Sequence, residues 1–104
     1  MKKLSKIDFD GAKIINAHRE TADLTIEFII VGLSSPVTVV FYSITEEASE
    51  FFTGDGVPVK NENFPPLDVI ETFKENNGVC QFGGYLKNKP WATWQFKTNK
   101  CVVL

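Results

Sequence analysis

The side chains able to do chemistry in this chain are few and scattered. His18 is the only histidine, and Cys80 and Cys101 are the only cysteines. A zinc centre needs several ligands converging in space, and a nucleophile needs a base within hydrogen-bond reach. A single histidine in a strand-like segment, with Glu20 and Asp23 near in sequence, meets neither demand. Nothing local marks either cysteine as an activated thiolate. The residues therefore imply no cofactor and no metal, and an enzyme is the least favoured class.

Two glycine-rich spots, Thr53-Gly54-Asp55-Gly56 and Phe82-Gly83-Gly84-Tyr85, lack the strand–loop–helix setting, glycine spacing and lysine of a phosphate loop. The first reads as a turn. In the second, Gly84 shares a phase with Phe82 and Leu86, which suits a gap beside a large aromatic or a bulge. Asp55, Asn61, Glu62 and Asn63 carry oxygen ligands, but at spacings foreign to an EF-hand loop. The final Cys101-Val102-Val103-Leu104 matches a prenylation box with Lys97 and Lys100 just upstream. A prenylated cysteine needs a flexible tail, whereas here a strong strand pattern ends only a few residues earlier, so a final edge strand is expected instead.

One set of residues has a functional flavour. If Ala92, Trp94 and Phe96 face a core, then Trp91, Thr93, Gln95 and Lys97 face the other way, because successive strand side chains alternate. Gln81 and Tyr85 hold the phase opposite to Phe82, and Lys87 and Lys89 lie between the two strands. An outward face of Gln81, Tyr85, Lys87, Lys89, Trp91, Thr93, Gln95 and Lys97 could anchor a protein partner, stack a base or small ring, or pack as a second core face. Nucleic acid is disfavoured, because the set contains no arginine and the chain as a whole carries a net charge of −2.

These residues must be positioned by strands. Asp23-Leu24-Thr25-Ile26-Glu27-Phe28 and Pro36-Val37-Thr38-Val39-Val40-Phe41 alternate at period two, as half-buried strands do. Strands are expected over Leu4–Phe9, Ala12–Arg19, Asp23–Val31, Val37–Ile44, Val79–Leu86, Trp91–Thr98 and Cys101–Leu104, with turns at Asp10-Gly11, Glu20–Ala22, Ser34–Pro36, Lys87–Pro90 and Asn99-Lys100. The last turn is short enough that the final two strands are expected to pair with each other. Thr45 followed by Glu46 and Glu47 resembles a helix N-cap and acidic first turn, so 46–52 reads as a short helix. Pro66, then Leu67, Ile70 and Phe73 at intervals of three, then Asn77-Gly78, read as a second helix over 66–76. The expected fold is one α+β domain over 1–104, an antiparallel sheet of about five to seven strands with two short helices, 46–52 and 66–76, inserted between two strand groups and packed on one face.

Composition agrees with one core-bearing domain: 104 residues, nine of them Phe. The longest apolar run, Phe28–Leu33, is far short of the roughly 20 residues of a membrane-spanning helix. Lys2, Lys3 and Lys6 are followed by Asp8 and Asp10 rather than an apolar stretch, so no secretory signal is expected and the cytoplasm is the expected location. Charge is uneven: residues 20–75 carry eleven acidic residues against two lysines, whereas 76–104 carry four lysines and no acid. Together these features favour a non-enzymatic protein-interaction module, such as an inhibitor, immunity-like or adaptor protein, with self-association open to it. The alternative is a small-molecule or single-stranded nucleic-acid binder using the C-terminal aromatic and lysine face.

Overall fold

The alternating segments all become strands, and so do both segments that read as helices. The computed structural model describes residues 7–86 and 91–104. It contains β1 (Ala12–Glu20), β2 (Asp23–Ile29), β3 (Val37–Tyr42), β4 (Thr45–Phe52), β5 (Pro58–Lys60), β6 (Val69–Asn76), β7 (Val79–Tyr85), β8 (Trp91–Lys97) and β9 (Lys100–Val103). They form one nine-stranded sheet in the order β5-β4-β8-β7-β6-β1-β2-β3-β9, antiparallel at every pairing. No helix occurs among the described residues, so the fold is all-β and the α+β expectation is overturned.

The order looks open, but the sheet rolls into a ring. Only Ser43-Ile44 separates β3 from β4, and only Thr98-Asn99 separates β8 from β9, although the members of each pair lie far apart in the order. Each pair is one long strand bent in the middle, and the two bent strands run alongside each other, Tyr42 opposite Lys100 and Thr45 opposite Lys97. Strands that bend from one wall to another make the corners of such barrels. The expected pairing of β8 with β9 therefore does not occur; both pair with the β3–β4 strand instead. Ala12 opposite Ile70 and Lys13 opposite Val69 join β1 to β6 and close the ring.

Inside the ring lies an aromatic cluster. Phe41 packs edge-on against Phe96 at 5.0 Å, Trp94 lies 5.8 Å from Phe82, and Phe9 is 4.9 Å from Phe28. Ala92, Trp94 and Phe96 are fully buried, which fixes the inward phase of β8. Phe9 lies in the N-terminal arm; Ile7–Phe9 is not a strand, and the earlier part of the strand expected over Leu4–Phe9 lies outside the described residues. The expected turn over Lys87–Pro90 also lies outside them.

Bulges explain why two segments imitate helices. Between Ile70 and Thr72 the β6 register shifts by one residue. A bulge adds one residue to one strand, so side chains three apart come to face the same way. Ile70 and Phe73 thus both point inward, the spacing that read as a helical stripe over 66–76. Pro66 and Leu67 precede β6 in a connection, where Leu67 is buried. A second bulge, between Thr45 and Ala48, lies in the segment read as the helix 46–52. There β4 is held on both sides, by β8 and β5, so its backbone groups are satisfied by the ladder. A seven-residue helix has no comparable source of stability.

The inward phase of Trp94 and the outward phase of Trp91 separate the two faces of β8. Trp94→Ala is expected to cost about 3–5 kcal/mol of unfolding free energy, the usual range for a deleted core aromatic. Trp91→Ala should cost about 1 kcal/mol, as for a partly exposed side chain outside the core. Urea denaturation of both variants measures this; equal losses would mean that the sheet is buried on both faces.

Candidate functional site

The outer face of β4, β8, β7 and β6 collects the residues singled out in the sequence. Register sets them in rows across the strands. Trp91 lies opposite Tyr85; Glu50, Thr93, Gly83 and Thr72 follow in one row; Ala48, Gln95, Gln81 and Lys74 make the next. Lys97 sits one row further on, opposite Val79. Gln81, Tyr85, Trp91, Thr93, Gln95 and Lys97 are therefore brought onto one surface. Lys87 and Lys89 lie outside the described residues.

Trp91 is held in place from below. A Cβ at Gly83 would sit 2.6 Å from Trp91 Cζ2 and 2.7 Å from Thr72 Oγ1, so the indole lies against the sheet in the space a side chain at 83 would fill. Tyr85 braces it edge-on, 5.3 Å away at 87°. Beside this shelf Gln81 Nε2 donates to Gln95 Oε1 at 2.8 Å. Glu50 on β4 and Lys74 on β6 border the resulting groove, an open depression of about 510 Å³. The arrangement sets an aromatic ring among amides and hydroxyls that can donate or accept hydrogen bonds.

Sequence reasoning missed a second cluster, at one end of the barrel. The buried Trp94 needs an acceptor for its indole N–H. It donates to Glu47 Oε2 at 2.8 Å, across the β4 bulge. Glu47 also receives both terminal nitrogens of Arg19, the chain's only arginine, at 2.6 and 2.7 Å. Arg19 in turn lies over Phe64, 5.0 Å from its ring centroid. The loop bearing Phe64 is pinned by Asn61, whose Nδ2 donates to the Pro66 carbonyl and whose Oδ1 accepts from the Asn63 N–H. An open cleft of about 710 Å³ lies between this loop and β4. The signal available in the sequence was the inward phase of Trp94, which requires a polar partner that only distant residues supply.

The remaining candidates are accounted for by position. His18 is exposed on β1 opposite Thr25. Burial, with smaller effects from Cys101 and Glu75, pushes the Cys80 thiol up to about 12, and burial also raises Cys101, so both remain protonated at neutral pH. Cys101 lies within β9 opposite Phe41, Val103 is buried, and the Leu104 N–H donates to the Thr38 carbonyl. The prenylation-like box is thus built into the sheet. Asp55 accepts from the Thr53 hydroxyl and the Val57 N–H, and Asn61 is committed to its loop. No group of three or more His, Cys, Asp or Glu residues is placed to hold a metal among the described residues, nor is any helix there long and apolar enough to cross a membrane.

No protein-family model, curated protein or solved structure matches the chain.

Hydrogen bonding from Arg19 holds the Glu47 carboxyl below its usual range; burial opposes this, while the Trp94 N–H and the Arg19 charge add to it. A carboxylate whose pKa is lowered on folding stabilises the fold above its unfolded pKa, and that stabilisation is lost as pH falls through the folded value. Glu47→Gln is expected to lower stability by about 1 kcal/mol at pH 7, a modest figure for a partly exposed pair. The gap between wild type and variant should shrink as pH drops below the usual carboxylate value of 4.5. Denaturation at pH 7 and at about pH 3 measures it; a gap that widens in acid would contradict the assignment.

Proposed function

We propose that this chain is a non-enzymatic protein-interaction module, of the inhibitor, immunity-like or adaptor kind, that docks its partner on the outer face of β4, β8, β7 and β6. The observation that carries this reading is Trp91, lying against Gly83 and braced by Tyr85, with part of its surface left exposed. A rigid aromatic loses little entropy on binding, and such anchors dominate interface energies. The aromatic cluster filling the barrel supports the same view, since recognition then falls to the surface. A cytoplasmic location belongs to this proposal and is supported by two free thiols, the usual state in a reducing compartment. A second reading, stacking of a base or small planar ring, has one observation in its favour: the open face of the same indole, with Lys74 and Lys97 on the same surface.

Affinity capture from source cells identifies the partner, and calorimetry with the purified partner tests the face. Trp91→Ala is expected to weaken binding by about 2 kcal/mol or more, roughly thirtyfold. Gly83→Ala, which displaces the indole, should weaken it in the same direction. Ile29→Ala, on the far side of the barrel, serves as the control and should leave affinity unchanged. Equal affinity for the wild type and Trp91→Ala rules the face out. Salt-sensitive quenching of Trp91 by oligothymidylate, without a protein partner, transfers the assignment to the second reading.

A further inference from the structure

The order of strands ends on β5 and β9, and these two edges are built differently. Beside β5 the Thr53 N–H donates to the Val57 carbonyl and the Asn61 N–H to the Ser49 carbonyl, so residues 57, 59 and 61 turn their backbone groups toward β4. Pro58 and Lys60 turn theirs to the free edge, and a proline has no N–H to offer a further strand. On β9 the Leu104 N–H donates to the Thr38 carbonyl and Val102 lies opposite Val40, so these alternate residues turn toward β3. Cys101 and Val103 therefore send their N–H and C=O groups away from β3, where no described residue pairs with them. Natural sheets block such an edge with a proline, a bulge or an inward-pointing charge. Pro58 blocks β5 in this way, whereas Cys101-Val102-Val103 carries none of these devices.

The side chains along this edge are apolar on both faces. Inward, Val103 is buried, but Cys101 is only partly buried although it lies opposite the fully buried Phe41. The sheet stops beside it. Outward, Val40 and Val102 are partly exposed, and Tyr42 and Leu104 are exposed. Lys100, at the start of β9, is the one charge on the strand.

Backbone groups spaced in this way are matched by another extended strand. We propose that this strand is β9 of a second copy, paired antiparallel about a two-fold axis at Val102. β9 is itself what the edge calls for: two residues with unpaired N–H and C=O groups, apolar side chains inward and a β-branched one outward. In this register Cys101 of each copy exchanges N–H···O=C bonds with Val103 of the other, which uses every backbone group those residues turn outward. Val102 stands opposite its own counterpart at the non-hydrogen-bonded spacing, about 4.5 Å between Cα atoms. The outer row becomes Val40-Val102-Val102-Val40, and on the inner face Cys101 gains Val103 as a neighbour. Lys100 falls opposite Leu104, so no charge meets a like charge directly across the seam. A two-residue slip in either direction sets Cys101 or Val103 against a residue outside β9. Joining β9 to β5 of another copy would meet Pro58 and leave an open, head-to-tail chain, whereas the symmetric joint closes. The contact belongs to the wall of β1, β2 and β3 and is independent of the docking face that bears Trp91.

Sedimentation equilibrium of the full chain, from about 1 μM to about 1 mM, reads the association, which should rise to a dimer and no further. Val102→Lys sets like charges opposite each other at the axis and should weaken association at least about tenfold. Val102 faces outward and is partly exposed, so thermal melting should stay near that of wild type and confirm a folded variant. Val102→Cys on a Cys101→Ser background supplies the positive arm. Its two thiols face each other across the axis and should join as an interchain disulfide, oxidised glutathione taking up their electrons and protons. Tyr42→Cys on the same background, one strand further from the axis, should stay monomeric under the same treatment. A wild type that is monomeric throughout, or a dimer that Val102→Lys leaves intact, overturns the inference. So does cross-linking of Tyr42→Cys as readily as of Val102→Cys. A dimer lost on Trp91→Ala but not on Val102→Lys moves self-association to the other wall and overturns it as well.

Discussion

Everything in this fold depends on two long strands bending at the same place. Residues 37–52 and 91–103 run antiparallel, and both turn where Ser43-Ile44 faces Thr98-Asn99. The corner is held by polar groups. The buried Thr98 hydroxyl donates to the Tyr42 carbonyl at 2.6 Å, and the Ile44 N–H donates to the Ala22 carbonyl at 2.8 Å. The Asp23 carboxylate accepts from the Ser43 N–H at 3.0 Å, where Ser43 adopts a positive φ of 54°. A bend breaks ladder bonds, and a buried backbone group without a partner is costly, so these side chains are what let the corner exist. Once it does, one half of each strand lies in one wall and the other half across the barrel. Phe41 and Phe96, on different walls, can then meet at 5.0 Å.

The aromatic interior imposes the next constraint. Phe rings are satisfied by packing alone, but Trp94 brings an N–H into the core. Its bond to Glu47 leaves a carboxylate part-way inside, and a carboxylate there needs a counter-charge. Arg19 supplies it with both terminal nitrogens, and Phe64 receives the guanidinium face. The order of cause runs from the indole outward, and it ties β8, β4, β1 and the 61–66 loop together at an end of the barrel where strand pairing between β1 and β6 has lapsed.

The reading of the sequence found the strands wherever side chains kept strict alternation, and it mistook strand for helix at the bulged segments of β4 and β6. β2, β3 and the inward phase of Ala92, Trp94 and Phe96 follow from period two alone. The six described residues of the outer face share a surface for the same reason. In β6 the bulge converts a two-residue period into a three-residue one, and Ile70 and Phe73 imitate a helical stripe. In β1 a bulge between Ile14 and Asn16 does likewise: Ile14 and Ala17 both contact the core, while Ile15 is left 43% exposed. The ring closure was beyond reach, because it depends on which distant strands bend toward each other. So was the Arg19–Glu47 pair, whose members lie 28 residues apart and share no local pattern.

Adjacent glycines show how the interior shapes the surface. Gly84 belongs to the inward phase of β7, and a Cβ there would collide with the Val69 carbonyl oxygen beside the β6 bulge. Gly83 belongs to the outward phase, and its missing side chain is the space that Trp91 occupies. One glycine is required by the curvature of the barrel, the other by the flatness of its outer shelf. Between the walls, Phe82 packs on Phe73 at 4.8 Å and on Trp94 at 5.8 Å, which fixes the backbone from which Gly83 presents its bare face. The indole shelf is thus rigid because the strand beneath it is anchored in the core. The ordering entropy that a loop-borne surface would retain has here already been lost in folding.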